Sequence, residues 1–156
     1  MTHSHVSVAG HMQLAILGPD GEILEAYENH NSVVPHGRAL LLSALQGQTT
    51  TQRFEPFLGG GDFKAESEAG LEQRDVVRLE NIEPLQARQS GNRLILGYRG
   101  ISTAEAKVVG GGLAAFYKRK GSGRTLNGIY NFAKTRSTVE VRKEMPLMLS
   151  FTLTVG

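Results

Sequence analysis

Histidine side chains are the first residues of this chain whose type could bind a metal ion. Five are present, near the N-terminus or beside the helix predicted below: His3, His5, His11, His30 and His36. A metal site also needs a rigid backbone and supporting hydrogen bonds. The polar segment 1–11 supplies neither, and Gly10-His11-Met12 is typical of a cloning junction. We therefore predict no metal site, and a structural role for His30 and His36 at the helix entrance.

The acidic segment between residues 62 and 75 is the second candidate for chemistry. Its carboxylates are Asp62, Glu66, Glu68, Glu72 and Asp75. A carboxylate pair can cleave a glycosidic bond when its surroundings raise the pKa of one member. Few apolar residues accompany these acids, so the sequence favours a solvated loop that Leu71 anchors.

Two glycine triplets, Gly59–Gly61 and Gly110–Gly112, are candidates for phosphate-binding loops. Neither is followed by the Lys-Ser/Thr of a P-loop, and neither lies in a strand–GxGxxG–helix unit. We predict tight turns or bulges there. The chain also has no cysteine and no Gly-x-Ser-x-Gly motif, so no nucleophile is indicated. The prediction is a protein without catalytic residues or cofactor, and not an enzyme.

A basic loop late in the chain is the strongest candidate for binding. The possible interaction residues are Phe116, Tyr117, Lys118, Arg119, Lys120 and Arg124. The cations could contact phosphates while the two aromatic rings stack on bases. The alternatives are a solvated hairpin tip or a contact with the acidic segment of another subunit.

The elements that position these residues are mostly strands. Pro19-Asp20-Gly21 predicts a turn, so residues 12–29 form a hairpin. The C-terminal stretch alternates strictly, with Leu147, Leu149 and Phe151 on one face. Turn signals at intervals of about 8–12 residues predict a mainly β protein. We expect an antiparallel, jelly-roll-like β-sandwich of about eight to ten short strands.

One short α-helix is predicted at about residues 35–46. Pro35 suits its first turn, and Gly47 is a typical stop. Leu41, Ala44 and Leu45 recur at helical spacing, and two further leucines widen the apolar arc. This pattern predicts a helix buried on most sides.

Bulk properties indicate one domain. We expect residues 1–11 to be a flexible N-terminal arm and residues 12–156 to be the β-sandwich domain. No apolar run reaches the roughly 20 residues of a membrane span, and no signal peptide is evident, so membrane insertion is not expected. The net charge is only +2. Bases crowd the last third of the chain and acids lie earlier, which suggests contacts between copies or with an acidic partner.

An ordered series of features resembles small structural proteins of tailed-phage virions and related contractile injection particles, such as tail-fibre, baseplate or tail-end components. The series begins with the Asp20-Gly21 hairpin and continues along nearly the whole chain. Its members are Asn31-Ser32-Val33-Val34, Gly37-Arg38-Ala39-Leu40-Leu41, Leu58-Gly59-Gly60-Gly61, Gly70-Leu71-Glu72, Glu105-Ala106 through Gly112, Tyr130-Asn131-Phe132 and Phe151-Thr152-Leu153. One departure is that Glu72 directly follows Leu71, where the family pattern is Leu-x-x-Glu.

The resemblance implies a non-enzymatic subunit of a phage tail or tail-like particle. Such a subunit acts by self-assembly and by contacts with neighbouring virion or tail proteins, in a virion assembled in the host cytoplasm. The alternative, from the basic loop, is a β module that binds carbohydrate or nucleic acid. Association of the protein in solution would favour the phage-tail interpretation. Salt-dependent binding of nucleic acid would favour the binding module.

Overall fold

Long strands dominate the computed structural model, which describes residues 8–33, 35–67 and 69–155. The elements in chain order are β1 (Val8–Leu17), β2 (Ile23–Val33), α1 (Pro35–Leu45), β3 (Thr49–Gly60), a 3₁₀ turn (Gly70–Glu72), β4 (Val76–Ser90), β5 (Arg93–Ser102), β6 (Ala106–Arg119), β7 (Thr125–Val141) and β8 (Pro146–Val155). The mainly β, antiparallel prediction with one helix is therefore confirmed, and eight strands fall within the expected number.

The strands pair in one closed order, β1-β2-β7-β6-β3-β4-β5-β8, and β8 pairs back to β1. Every pair is antiparallel. The predicted sandwich is not confirmed, because a sandwich needs two separate sheets and each strand here has a bonded neighbour on both sides.

Two of the eight pairings between neighbouring strands, which we call seams, are short. Strands β2 and β7 pair only where Ser32–Val33 meets 131–132, and β3 and β4 pair only where 57–59 meets 76–78. Just past the β2–β7 pairing, the Asn29 side chain donates a hydrogen bond of 2.7 Å to the Lys134 carbonyl. Beyond this bridge the two strands have no ladder partner on their facing edges, so the barrel wall is open there.

The N-terminal hairpin forms as predicted, since β1 and β2 pair across the turn at Gly21, whose φ is 79°. Glycine suits this turn because it adopts positive φ without a steric cost. Strand β1 begins at Val8, so residues 8–11 of the predicted flexible arm are paired in the sheet. Residues 1–7 lie outside the described part of the chain.

The barrel interior holds the main core. Alternate residues of β8, which include Leu147, Leu149 and Phe151, are fully buried in it, as their period of two predicts. Residues from both halves of the ring meet there: a Cβ on Gly111 would lie 3.0 Å from the Leu149 side chain.

A second cluster lies on the outer face of β3, β6 and β7. Phe57 and Ile129 form it together with Leu71, which is buried as predicted and holds the segment 61–75 against the sheet. The Leu71 N–H donates 2.9 Å to the Asn127 side chain, which fixes the 3₁₀ turn.

The second glycine triplet lies within β6, between β3 and β7, and both triplets adjoin register shifts, as the bulge prediction required. A Cβ on Gly112 would collide with the Asn131 carbonyl and touch the Phe57 ring. These glycines therefore let aromatic rings of the outer cluster lie directly on the sheet.

Candidate functional site

The end of the barrel that carries α1 is the first surface of interest. The helix follows β2, begins at Pro35 and ends at Leu45, two residues before Gly47, whose φ is 72°. Leu40 anchors it by packing on Ala115 and Tyr117 of β6. Gly37 allows the close approach, because a Cβ there would collide with the Tyr130 carbonyl. The helix covers the end of the barrel through Leu40 rather than through the face that the sequence indicated.

The prediction that α1 is buried on most sides is wrong. Leu42 is 58% exposed and Leu45 is 71% exposed, and Ala44 is exposed as well. Leu41 is only half-buried. The helix lies on the barrel end instead of inside it, and only Gly37 and Leu40 of its 11 residues are buried. It therefore presents two leucines to solvent.

A shallow cavity of about 510 Å³ separates α1 from the tip of the β4–β5 hairpin. Leu41, Leu94, Tyr130 and Leu153 give it an apolar lining, and the hairpin tip at 91–93 forms its rim. Burial raises the pKa of the Tyr130 hydroxyl above its ordinary value. The surroundings of the cavity are otherwise basic.

Three chain segments at this end contain cations and no acids. Residues 35–53, 86–94 and 117–127 hold eight of the 17 Lys and Arg residues and none of the 15 Asp and Glu residues. We call these segments together the basic end. Their cations are Arg38, Arg53, Arg88, Arg93, Lys118, Arg119, Lys120 and Arg124. All are exposed except Lys118, which is half-buried, so this end carries a positive surface potential.

The basic loop predicted from sequence belongs to this surface, but its two aromatic side chains are not part of the surface. Phe116 and Tyr117 are both buried. Phe116 packs in the outer cluster beneath the Arg53 guanidinium, which lies 3.9 Å from its ring centre, and Tyr117 packs on Leu40. Neither ring can stack on a base, so that part of the prediction is wrong. The two rings point to opposite faces because they are neighbours on one strand.

The cations of that loop lie at the β6–β7 hairpin tip. The Lys120 N–H donates 2.8 Å to the Gln48 carbonyl, which ties the tip to the segment that follows α1. The Ser122 N–H donates 3.0 Å to the Arg119 carbonyl within the turn. The tip and the helix end are therefore held together as one surface.

The other sequence candidates are not brought into one site. His11 and His30 face each other across β1 and β2, with ring centres 6.0 Å apart, and His11 Nε2 lies 3.6 Å from the Glu28 carboxylate. His36 lies beside the Tyr117 ring, at 5.9 Å between centres. His3 and His5 lie outside the described residues. In the ranges that the structure describes, no three His, Asp or Glu side chains gather as metal ligands would.

The acidic segment remains at the surface. Asp62, Glu66 and Glu72 are exposed, and Asp75 is half-buried. Glu68 is outside the described residues. Exposure fits the solvated-loop interpretation, because none of the three exposed carboxylates has the apolar surroundings that a proton donor for glycoside cleavage requires.

The opposite end of the barrel contains a cleft that the sequence did not indicate. It lies where β2 and β7 separate and has a volume of about 790 Å³, and we call it the β2–β7 cleft. Its lining residues are Ile16, Leu24, Glu25, Tyr27, Glu105, Ala106, Lys107, Thr138, Glu140, Val141, Arg142 and Met145. The Tyr27 hydroxyl donates 2.6 Å to Glu25 Oε2, and this bond raises the pKa of Tyr27. Leu24, one of these lining residues, is 59% exposed.

Comparisons with known proteins give no match: no protein-family model, curated protein or solved structure is similar to this chain. Within residues 8–33, 35–67 and 69–155, no helix has the length and apolar character of a membrane-spanning segment.

Proposed function

We propose that this protein is a non-enzymatic structural subunit of a phage tail or tail-like particle. It acts by association with copies of itself and with neighbouring tail proteins, in a virion assembled in the host cytoplasm. The observation that carries this proposal is the uneven distribution of charge and exposed leucines over the surface. One end combines eight cations, no acids and two exposed leucines, whereas the rest of the chain holds all 15 acids against nine cations.

A surface of this kind favours contact with an acidic protein surface. Exposed leucines contribute apolar area that is released from water on contact, and unopposed cations direct the encounter with a surface of opposite charge. Leu42 and Leu45 lie on an element whose other side is anchored by Leu40, so the apolar patch is presented rigidly. Little ordering entropy is then lost on association.

The fold supports the same proposal. The two short seams divide the ring into a five-strand group (β2, β1, β8, β5, β4) and a three-strand group (β7, β6, β3). Side chains of the two groups pack face to face in the main core. On this basis we propose a sandwich-like division of the closed ring into two packed layers, in place of two separate sheets.

Negative-stain imaging of the concentrated protein at low salt tests the proposal. Rings, stacks or fibres built of one repeating unit are the expected result. Isolated particles of monomer size at every concentration would contradict it, because an apolar patch beside unopposed charge then serves some other partner.

The alternative is a module that binds nucleic acid or an acidic carbohydrate, and the acid-free basic end is the observation that favours it. The buried Phe116 and Tyr117 reduce the stacking available to such a ligand. Steeply salt-dependent binding of single-stranded DNA, lost when Lys118, Arg119 and Lys120 are each replaced by glutamate, would favour this alternative if no association is seen.

A further inference from the structure

Three of the five large hydrophobic side chains exposed in the described residues lie on α1 or in the β2–β7 cleft, at opposite ends of the barrel. Leu42 and Leu45 lie on α1 at the basic end, and Leu24 lines the β2–β7 cleft. The chain therefore carries a projecting apolar pair at one end and a cleft with apolar lining residues at the other. This is the arrangement that head-to-tail contact requires.

We propose that α1 of one copy docks into the β2–β7 cleft of the next copy. The inference rests on the proposed function, which is assembly, and names the two surfaces that meet. The occupant of the cleft is thus a second copy of this chain, through the exposed side of its helix.

The lining and the volume of the cleft suit one edge of an amphipathic helix. Its floor includes Ile16, Val141 and Met145, and its rim includes Leu24. A cavity of about 790 Å³ is large enough to accept two leucine side chains together with part of their helix. The cleft is open because β2 and β7 lose their pairing beyond the Asn29–Lys134 hydrogen bond.

Charge complementarity identifies which surface enters the cleft. Glu25, Glu105 and Glu140 line it beside two cations, and Asp20 and Glu22 lie in the adjoining β1–β2 turn. The approaching helix brings Arg38 and the acid-free basic end. Opposite potentials increase the rate of encounter and disfavour helix-to-helix pairing, in which the cations of two basic ends would meet.

The symmetry of the contact follows from its position. Helix and cleft lie at opposite ends of the barrel, so each copy offers one of each and the contact is heterologous. Such a contact produces a closed ring if the rotation per copy closes, and an open stack if it does not. Each assembled copy then uses its helix on one neighbour and its cleft on the other.

Two variants that each lose one surface test this pairing. The helix variant carries Leu42→Glu and Leu45→Glu, and the cleft variant carries Leu24→Lys. All three positions are exposed, so both variants should keep the wild-type melting temperature. The control is Leu85→Glu, on β4, at a side chain that is also exposed but lies in neither surface.

Light scattering then measures the association of each protein alone and of an equimolar mixture of the helix variant and the cleft variant. We expect each variant alone to associate at least about tenfold more weakly than wild type, and Leu85→Glu to associate normally. The mixture should form dimers and stop, because the intact helix of the cleft variant fits the intact cleft of the helix variant.

Other outcomes are equally decisive. If both variants associate like wild type, or if the mixture of two non-associating variants stays monomeric, the head-to-tail pairing is wrong while self-assembly of the wild type stands. If the wild type does not associate at all, the proposed function fails together with the inference.

Discussion

Replacing Leu40 by alanine is expected to lower the free energy of unfolding by about 2–5 kcal/mol, the usual effect of truncating a buried leucine. Leu40 is the one large buried side chain of α1, and it packs on Ala115 and Tyr117. Its loss leaves a cavity and loosens the helix from the barrel end. Urea unfolding, followed by circular dichroism, measures the change.

Leu45→Ala is the matched control, since it makes the same chemical change in the same helix at a side chain that is 71% exposed. A change within about 0.5 kcal/mol is expected, as for most surface substitutions. Equal losses for the two variants would contradict the description of α1 as a helix anchored on one side only. The pair also separates the stability of the helix from its proposed role in docking, which uses Leu42 and Leu45.

Phe57→Ala is expected to have the other large effect, a loss of about 3–5 kcal/mol. The Phe57 side chain is fully buried in the outer cluster, with its ring centre 5.3 Å from that of Phe63 and 6.2 Å from that of Phe132. Removing it opens a cavity beneath the segment 61–75 and withdraws the apolar surface on which Leu71 rests. Equilibrium unfolding in urea again gives the value.

Phe63→Ala provides a graded comparison in the same cluster. Phe63 is half-buried and belongs to the covering segment, so its loss should cost clearly less than that of Phe57. If the two variants lose the same stability, or if Phe57→Ala is neutral, the outer cluster does not stabilise the fold. The slope of the urea transition should stay unchanged in both, which shows that the unfolded state is the same.

Local patterns predicted much of this fold. The Asp20-Gly21 turn indicated the first hairpin, and the alternation from Leu147 to Val155 indicated both the strand β8 and its buried face. Pro35 and Gly47 delimited the helix within one residue of its observed end. Leu71 was identified as an anchor because it is the one large aliphatic side chain in a polar segment. These features depend on neighbours in sequence, which is why the sequence sufficed.

Features that depend on distant residues were not predictable in the same way. The helix period identified Leu41, Ala44 and Leu45 as one face, but the contact with β6 places Leu40 inward. A hydrophobic pattern gives the period of a buried face and not the neighbour that buries it. Phe116 and Tyr117 were assigned to a binding loop because they precede its cations, whereas two different clusters cover them.

The basic end and the β2–β7 cleft are both products of the closed strand order. The basic end unites three segments separated by tens of residues, so the uneven charge was visible in the sequence but its concentration at one end was not. The cleft exists because one seam of the ring pairs over two residues only. Seam length is set by strand twist and register, which the sequence does not display.

Sedimentation velocity of the wild-type protein, over a wide range of concentration and at two salt levels, tests the central claim that the two ends of the barrel mediate association. The Debye length is about 30 Å at about 0.01 M salt and about 10 Å at about 0.1 M. The attraction between the basic end and the acidic residues of the cleft is therefore weaker at the higher salt concentration. The weight-average sedimentation coefficient should rise with protein concentration, and should rise less at the higher salt. A single monomeric species at every concentration and at both salt levels would contradict the account.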